Sequence, residues 1–315
     1  MPARRPRLSR SDEKLILELV ALILANRHAR RVFLVITVIA AVAFGGWWLW
    51  EHKLRPRHPV GPTVRIATWN LRQFSTGRKG VDVNAIADII KTSSFDLVAI
   101  QEVKKEGEEV DRLLNALGSP WRATSLSDLT GNHERFVFIY NADHVQEIGT
   151  PHFIAAADAV IFDRVPYQQT FRAGNFDFTL VTCHLYYGEG MTGYERRRQE
   201  AQVLARFAHD LAARSSEKDI IVLGDFNETR GHENLASFAS EGWQNLNRDP
   251  TNLGGNEVYD TLLIDPTYTK EWNGNAAAVH FDEMRFGNND QQSALRISDH
   301  RPAYADFVTN LPDDD

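Results

Sequence analysis

Cysteine occurs once in the 315 residues, at Cys183. One cysteine cannot close an intramolecular disulfide, so any stability outside a cell has to come from packing. It is also too few for a zinc–thiolate centre. The chain has no glycine-rich phosphate loop, no serine nucleophile elbow and no zinc signature, so those motifs offer no route to its chemistry. It has no internal repeat and no low-complexity tract. Basic residues are scarce after the N-terminal segment. Residues 1–60 hold 11 Lys/Arg against 4 Asp/Glu, which leaves 24 against 38 in the remainder. A portion that acidic does not look like a protein that coats duplex nucleic acid through a basic face. It suits a site that holds divalent cations through carboxylates.

What is present begins with one long uncharged run, residues 32–50, "VFLVITVIAAVAFGGWWLW". Its 19 residues approach the length that crosses a bilayer core of about 30 Å. Arg27, Arg30 and Arg31 precede it, and Trp47, Trp48 and Trp50 gather at its far end, where indoles favour the interface. A buried core helix seldom lacks every polar residue over this length. A cleaved signal peptide would have a shorter basic region and a small-residue cleavage site. The run is therefore read as an uncleaved signal anchor. Residues 1–31 form a basic cytoplasmic segment, and everything after about residue 51 lies outside the cytoplasm, in a periplasm or extracellular space. Residues 13–26 form a second apolar run, too short to span. Residues 51–62 are rich in proline and charge and read as a linker.

After residue 63 strands and helices mix. Strands are expected over 64–69, 96–101, 135–140, 176–182, 219–223, 259–264 and 301–308, and helices over 83–92, 110–117 and 196–213. The order suggests an α/β fold, two mixed sheets packed face to face with helices outside, as one domain over residues 63–310 with an acidic tail at 311–315.

Polar residues collect at the boundaries of these strands. Asn70 ends the first and Glu102 the second. Glu134 precedes the third and His184 ends the fourth. Asp225 and Asn227 end the fifth, in "VLGDFN". Asp260 precedes the sixth, and Asp299 and His300 precede the last. One such residue is most often turn chemistry. Together they supply hard oxygen donors for Mg²⁺ and imidazoles for proton transfer. Asp225 and Asn227 are two apart and would face the same way in an extended chain, with Phe226 turned into the core.

The ordered motifs "WN", "QEV", "HL", "GDFN" and "SDHRP" resemble the endonuclease/exonuclease/phosphatase superfamily. "NHERFVFIYNADHV", "FDRVPYQQTF" and "VYDTLLI" resemble its deoxyribonuclease I-like branch. That resemblance implies a four-layer α/β sandwich and phosphoester cleavage by water with Mg²⁺ or Mn²⁺, with Ca²⁺ a third candidate. It implies Glu102 as principal metal ligand, with Asn70 and Asp299 in support. Asp225 and Asn227 would hold the attacking water and the scissile phosphate. His184, paired with Glu134, and His300, paired with Asp260, would flank the phosphorus. Arg164 would contact a substrate phosphate. Arg72, Lys104 and His133 stand where the branch meets the DNA minor groove, although its groove-stacking tyrosine is a histidine here. The expected activity is a membrane-anchored endonuclease acting on DNA with little sequence preference. The alternative is a sphingomyelinase-like or inositol-phosphate phosphoesterase of the same superfamily.

Overall fold

The computed structural model describes residues 27–49, 58, 60–228 and 235–312. The chain divides into two compact units, Met1–Arg57 and His58–Asp315. Within the first, Arg27–Leu49 is helical. Among the described residues no helix is long and apolar enough to cross a membrane. The membrane crossing expected of residues 32–50 thus rests on the sequence alone. The apolar run 13–26, most of the linker 51–62 and the last three residues of the acidic tail lie outside the described residues.

The second unit carries twelve strands among its described residues: β1 (Thr63–Phe74), β2 (Leu97–Lys104), β3 (Trp121–Ala123), β4 (Glu134–Asn141), β5 (Gln146–Phe153), β6 (Tyr167–Ala173), β7 (Phe176–His184), β8 (Ile220–Asp225), β9 (Gln244–Asn245), β10 (Asp260–Ile264), β11 (Trp272–Ala278) and β12 (Ala303–Val308). They form two six-stranded sheets, ordered β11-β12-β1-β2-β4-β3 and β5-β6-β7-β8-β10-β9. Each sheet has one parallel pair at its centre, β1 with β2 and β7 with β8. The flanking pairs are antiparallel, so both sheets are mixed.

Alternation along the strands explains the layers, because successive side chains point to opposite faces. Val64, Ile66, Leu97, Ala99, Phe136 and Phe138 of the first sheet meet Phe171, Phe178, Leu180, Ile221, Leu223 and Leu262 of the second in one buried core. The intervening residues face outward. Ala67, Trp69, Val98 and Ile100 pack under the helices Val83–Thr92 and Glu108–Leu117. Val181, Cys183, Ile220 and Val222 pack under the long helix Gly190–Arg214. The result is helix, sheet, sheet, helix.

The inter-sheet face changes character along each strand. Val64 and Ile66 are followed at the same spacing by Thr68 and Asn70, and Leu97 and Ala99 by Gln101. Phe178 and Leu180 are followed by Thr182 and His184, and Ile221 and Leu223 by Asp225. All of these residues are buried. The antiparallel strands begin polar at the same end, with Glu134 before Phe136 and Asp260 before Leu262. Register holds them level, with His184 opposite Asp225 and Asp225 opposite Asp260. A core of period-two apolar pairs therefore ends, at one edge, in a layer of polar groups.

Candidate active site

The transition from core to site is a hydrogen-bonded row. The Gln101 amide donates to Thr68 at 3.0 Å and to Thr182 at 2.9 Å, joining the two sheets. Every group in that row is buried and paired, as a polar layer in a low-dielectric interior requires.

Above it, Asn70 Nδ2 donates to Glu102 Oε1 and to Asp225 Oδ2, each at 2.9 Å. Glu102 Oε2 accepts from the Gln73 amide at 2.8 Å. Arg72 N donates to Asn70 Oδ1 at 2.8 Å. Glu102 sits at φ 61° and Asn227 at φ 49°, left-handed conformations that side chains rarely adopt and that the surrounding bonds hold. Gly224 just before Asp225 is required for a different reason. At its φ of 147° an added Cβ would collide with the Cys183 carbonyl on the neighbouring strand.

Two imidazole–carboxylate pairs flank Asp225. His184 Nδ1 donates to Glu134 Oε2 at 2.8 Å, and His300 Nδ1 donates to Asp260 Oδ2 at 2.8 Å. The opposite ring nitrogens both turn to Asp225 Oδ2, His184 Nε2 at 3.5 Å and His300 Nε2 at 3.7 Å. Both expected pairs are thus brought together, and Asp225 lies between them.

The charges respond to this arrangement. Burial raises the Glu134 carboxyl, but the His184 hydrogen bond and the charges of His184, Arg164 and Lys104 outweigh it and hold the group at about 2. Burial also raises Asp225, and the charges of His300 and His184 with the Asn70 and Asn227 hydrogen bonds bring it below the usual range. Burial dominates at Asp260, which rises to about 6. At His300 burial favours the neutral ring, yet Asp260 and Asp225 push it up to about 10. Near neutrality Asp260 and His300 are an ion pair.

Arg164 is placed differently from the phosphate contact expected of it. It is buried, and its Nε and Nη2 donate to the carbonyls of His184 at 2.8 Å and Leu185 at 2.5 Å. Nη1 donates to Asp163 at 3.1 Å. This guanidinium holds the strand end that carries His184. Lys104 is likewise engaged, donating to the Asn132 carbonyl at 2.7 Å and to Glu134 at 3.2 Å. Arg72 is exposed and pairs with Asp299 at 3.3 Å. His133 is exposed at φ 52° beside Glu134. Glu228, given no role from the sequence, is buried.

Arg78 was missed in the sequence and ties the site together from behind. Its Nη1 donates to the carbonyls of Leu71 and Arg72, and its Nη2 to those of Ala294, Leu295 and Ile297, at 2.7–3.2 Å. Ser298 Oγ adds a bond to the Asn70 carbonyl at 2.6 Å. A lone arginine in a glycine-flanked loop gives no sequence signal for such a clamp.

Oxygen and nitrogen donors of Glu102, Glu134 and His184 lie within 4.8 Å of one another, and so do those of Asp225, Asp260 and His300. Asp299 joins neither group. Glu102 forms no ion pair among the described residues, each oxygen accepting one bond from a neutral donor, and its hard oxygens fit a divalent ion such as Mg²⁺.

Known proteins share this fold. The sequence pattern described as "Endonuclease/Exonuclease/phosphatase family" matches residues 67–300. Horse deoxyribonuclease-1 is 24% identical over 271 residues, covering 77% of this chain and 92% of that protein. The human endonuclease/exonuclease/phosphatase family domain-containing protein 1 is 23% identical over 284 residues, covering 79% of this chain; the chain spans 50% of that protein's length. Among solved structures, an endonuclease/exonuclease/phosphatase family protein from Bacteroides thetaiotaomicron superposes with a TM-score of 0.55 at 15% identity, over 80% of this chain and 100% of that one. The human nocturnin catalytic domain superposes with a TM-score of 0.54 at 15% identity, over 79% and 95%. These likenesses show the fold.

Proposed function

The chain belongs to the endonuclease/exonuclease/phosphatase family, and from that premise we propose that it is a divalent-metal-dependent phosphodiesterase that cleaves DNA with little sequence preference. The observation that carries the reading is the convergence of His184 Nε2 and His300 Nε2 on Asp225, at 3.5 and 3.7 Å, with a carboxylate behind each ring. Phosphodiester hydrolysis needs that set. Negative charge builds on the phosphoryl oxygens, water must lose a proton, and the leaving oxygen must gain one.

Each group has a task in this reading. Asp225 orients the attacking water and accepts its proton as the water oxygen bonds to phosphorus. The bond to the leaving oxygen breaks, and an imidazolium Nε2–H of His184 or His300 protonates that oxygen. Glu134 fixes the His184 ring, and Asp260 fixes the His300 ring and favours its charged form. Asn227, held by its bond to the Leu185 carbonyl at 3.0 Å, offers an amide near the phosphate. Glu102, with Asn70 and Asp299, would hold Mg²⁺ or Mn²⁺, with Ca²⁺ a third candidate; when bound, the ion would neutralise charge on the phosphoryl oxygens. DNA as the substrate is supported by the similarity to horse deoxyribonuclease-1 over 92% of that protein. Contacts from exposed Arg72 and His133 would read groove shape more than base identity.

The test is the full chain in detergent, offered supercoiled plasmid, sphingomyelin and inositol phosphates with Mg²⁺, Ca²⁺ or a chelator. Plasmid nicking that the chelator abolishes is expected. Lipid or inositol-phosphate hydrolysis without nicking overturns the DNA reading in favour of another phosphoester.

The same reading includes a membrane anchor at residues 32–50, with the N-terminus in the cytoplasm. Its support is 19 uncharged residues between a basic cluster and a tryptophan cluster. A reporter fused after residue 315 is expected to be active only outside the cytoplasm, and cytoplasmic activity overturns the orientation.

A further inference from the structure

Beside Asn227 lies a cavity of about 230 Å³, lined by Tyr187, Gly188, Glu189, Gly190, Tyr194, Arg197 and Asn227. Arg197 is only 4% exposed. Its Nη1 donates to the carbonyls of Tyr186 at 3.1 Å and Gly188 at 3.2 Å. Its Nε is buried with no hydrogen-bond partner. Among the described residues no carboxylate forms an ion pair with it; the oxygens of Glu200, one turn along the same helix, accept instead from the backbone amides of Asp163 and Tyr186. A buried guanidinium without an anion is costly. Nothing in the catalysis assigned above uses it.

Two tyrosines, Tyr187 and Tyr194, line the cavity with this cation. The Tyr187 ring is 67% exposed, an unusual state for a large ring next to a catalytic amide. The Tyr259 ring stands 5.6 Å from that of His300. Burial and then the charges of Glu257 and Asp225, with Tyr187, push its hydroxyl up, and Arg197 pulls the other way. Tyr259 therefore lies within electrostatic reach of both the cavity and Asp225.

We propose that this cavity seats the nucleotide adjoining the scissile phosphate, with the Tyr187 ring stacking on its base and Arg197 donating to its phosphate. The inference rests on the phosphodiesterase reading and deepens it. Stacking on a tyrosine is indifferent to base identity, because every base has a π-face. A guanidinium matches phosphate oxygens better than an ammonium does. A base reaches Tyr187 only after leaving its own stack, so unpaired strands are better substrates than closed duplex.

The experiment compares kcat/KM of the full chain on a single-stranded oligothymidylate, on a hairpin duplex and on bis(4-nitrophenyl) phosphate, a phosphodiester with no nucleotide. The oligothymidylate is expected to be cleaved faster than the duplex. Tyr187→Ala is expected to lower the oligothymidylate-to-nitrophenyl rate ratio by about tenfold, the size of a base–aromatic contact, mainly through KM. Arg197→Lys is expected to lower the same ratio, with a thermal unfolding curve run alongside because the residue is buried. Tyr187 is exposed, so its variant carries the test if Arg197→Lys fails to fold. An unchanged ratio for Tyr187→Ala overturns the inference while nitrophenyl hydrolysis by the wild type leaves the phosphodiesterase reading standing. Failure of the wild type on all three substrates overturns both.

Discussion

Glu134 and His184 stand on different sheets and meet at 2.8 Å, so one hydrogen bond ties the sheets together and orients the His184 ring at once. Glu134 opens β4 in the first sheet, and His184 ends β7 in the second. The neighbouring carboxylate–imidazole pair, Asp260 and His300, crosses between the sheets in the opposite sense. Site geometry and sheet packing therefore depend on each other.

The first prediction concerns stability and pH. The Glu134 carboxyl is held at about 2 in the folded chain, against an ordinary value of 4.5. A depressed carboxylate stabilises the fold above its unfolded pKa, and that contribution is lost as pH falls through its folded pKa. It is thus fully present at pH 7 and disappears between about pH 4.5 and 2. Its size is about 3 kcal/mol. Glu134→Gln is expected to be less stable at pH 7 by that order in urea denaturation. It is also expected to lose stability less steeply than the wild type between pH 4.5 and 3. Parallel pH slopes for the two proteins would count against the pairing.

The second concerns the two rings. His184→Ala and His300→Ala each remove a donor that faces Asp225, and each leaves a buried carboxylate, Glu134 or Asp260, without its partner. Turnover is expected to fall by about two orders of magnitude or more in either variant. Near-normal plasmid nicking by either one would remove that ring from the mechanism.

The third concerns the alkaline limb of the pH–rate profile. Asp260 and Asp225 push His300 up to about 10, above its ordinary value of 6.5. A raised imidazole keeps its charge, and the stability that goes with it, below the unfolded pKa, and loses both as pH rises through the folded pKa. Asp260→Asn removes the larger of the two attractions. The alkaline limb of kcat is then expected to move down by about one unit or more. Asp225 still raises the ring, and burial, the largest influence on it, still opposes that. An unmoved limb would show that another group sets it.

The fourth concerns Arg78. Its guanidinium binds five backbone carbonyls, two following Asn70 and three preceding Asp299. Arg78→Met keeps most of the volume and removes every donor. A loss of about 3 kcal/mol in urea denaturation is expected, since several carbonyls lose a charged partner together. Arg78→Lys is expected to recover only part of it, because an ammonium cannot span both segments.

Some of this was legible in the sequence and some was not, for reasons that differ by element. Val83, Ile86, Ala87 and Ile90 repeat at helical spacing, and the helix occupies the residues expected, Val83–Thr92. β2, β4, β7 and β8 announced themselves as apolar runs because both of their faces are covered. β5 did not, because Gln146–Phe153 is half-exposed with no apolar alternation, and it becomes a strand by pairing with β6. β11 reads "WNGNAAA", poor in strand formers, and is made by its pairing with β12. β1 outruns its expected end at Trp69 because the register shift between Asn70 and Phe74 lets the strand continue through the site. The polar boundary residues could be listed in advance, and period-two alternation explains why Asn70, His184 and Asp225 share a face. The left-handed turn at Glu102 and the filled valences of Arg164 are properties of the folded backbone, with no trace in composition or spacing.

The last prediction joins the carboxylates to an ion. Five acidic groups crowd this edge, and two of them, Glu134 and Asp260, are answered by imidazoles. Asp299 is answered by Arg72 at an exposed position. Asp225 faces both rings. Glu102 alone is met by neutral donors, the Asn70 amide and the Gln73 backbone, so its charge is the one left for a cation. Mg²⁺ that binds the folded chain and not the unfolded one must raise the unfolding temperature, by about 1.4 kcal/mol of stability at ten times its dissociation constant. Glu102→Gln keeps the shape and one of the two accepted hydrogen bonds but removes that charge. It is expected to abolish the Mg²⁺-dependent rise in unfolding temperature, while Asp260→Asn, whose carboxylate already serves His300, retains it. The measurement is a thermal melt across a Mg²⁺ titration, independent of any substrate. A rise that survives in Glu102→Gln would move the ion to the group formed by Asp225, Asp260 and His300.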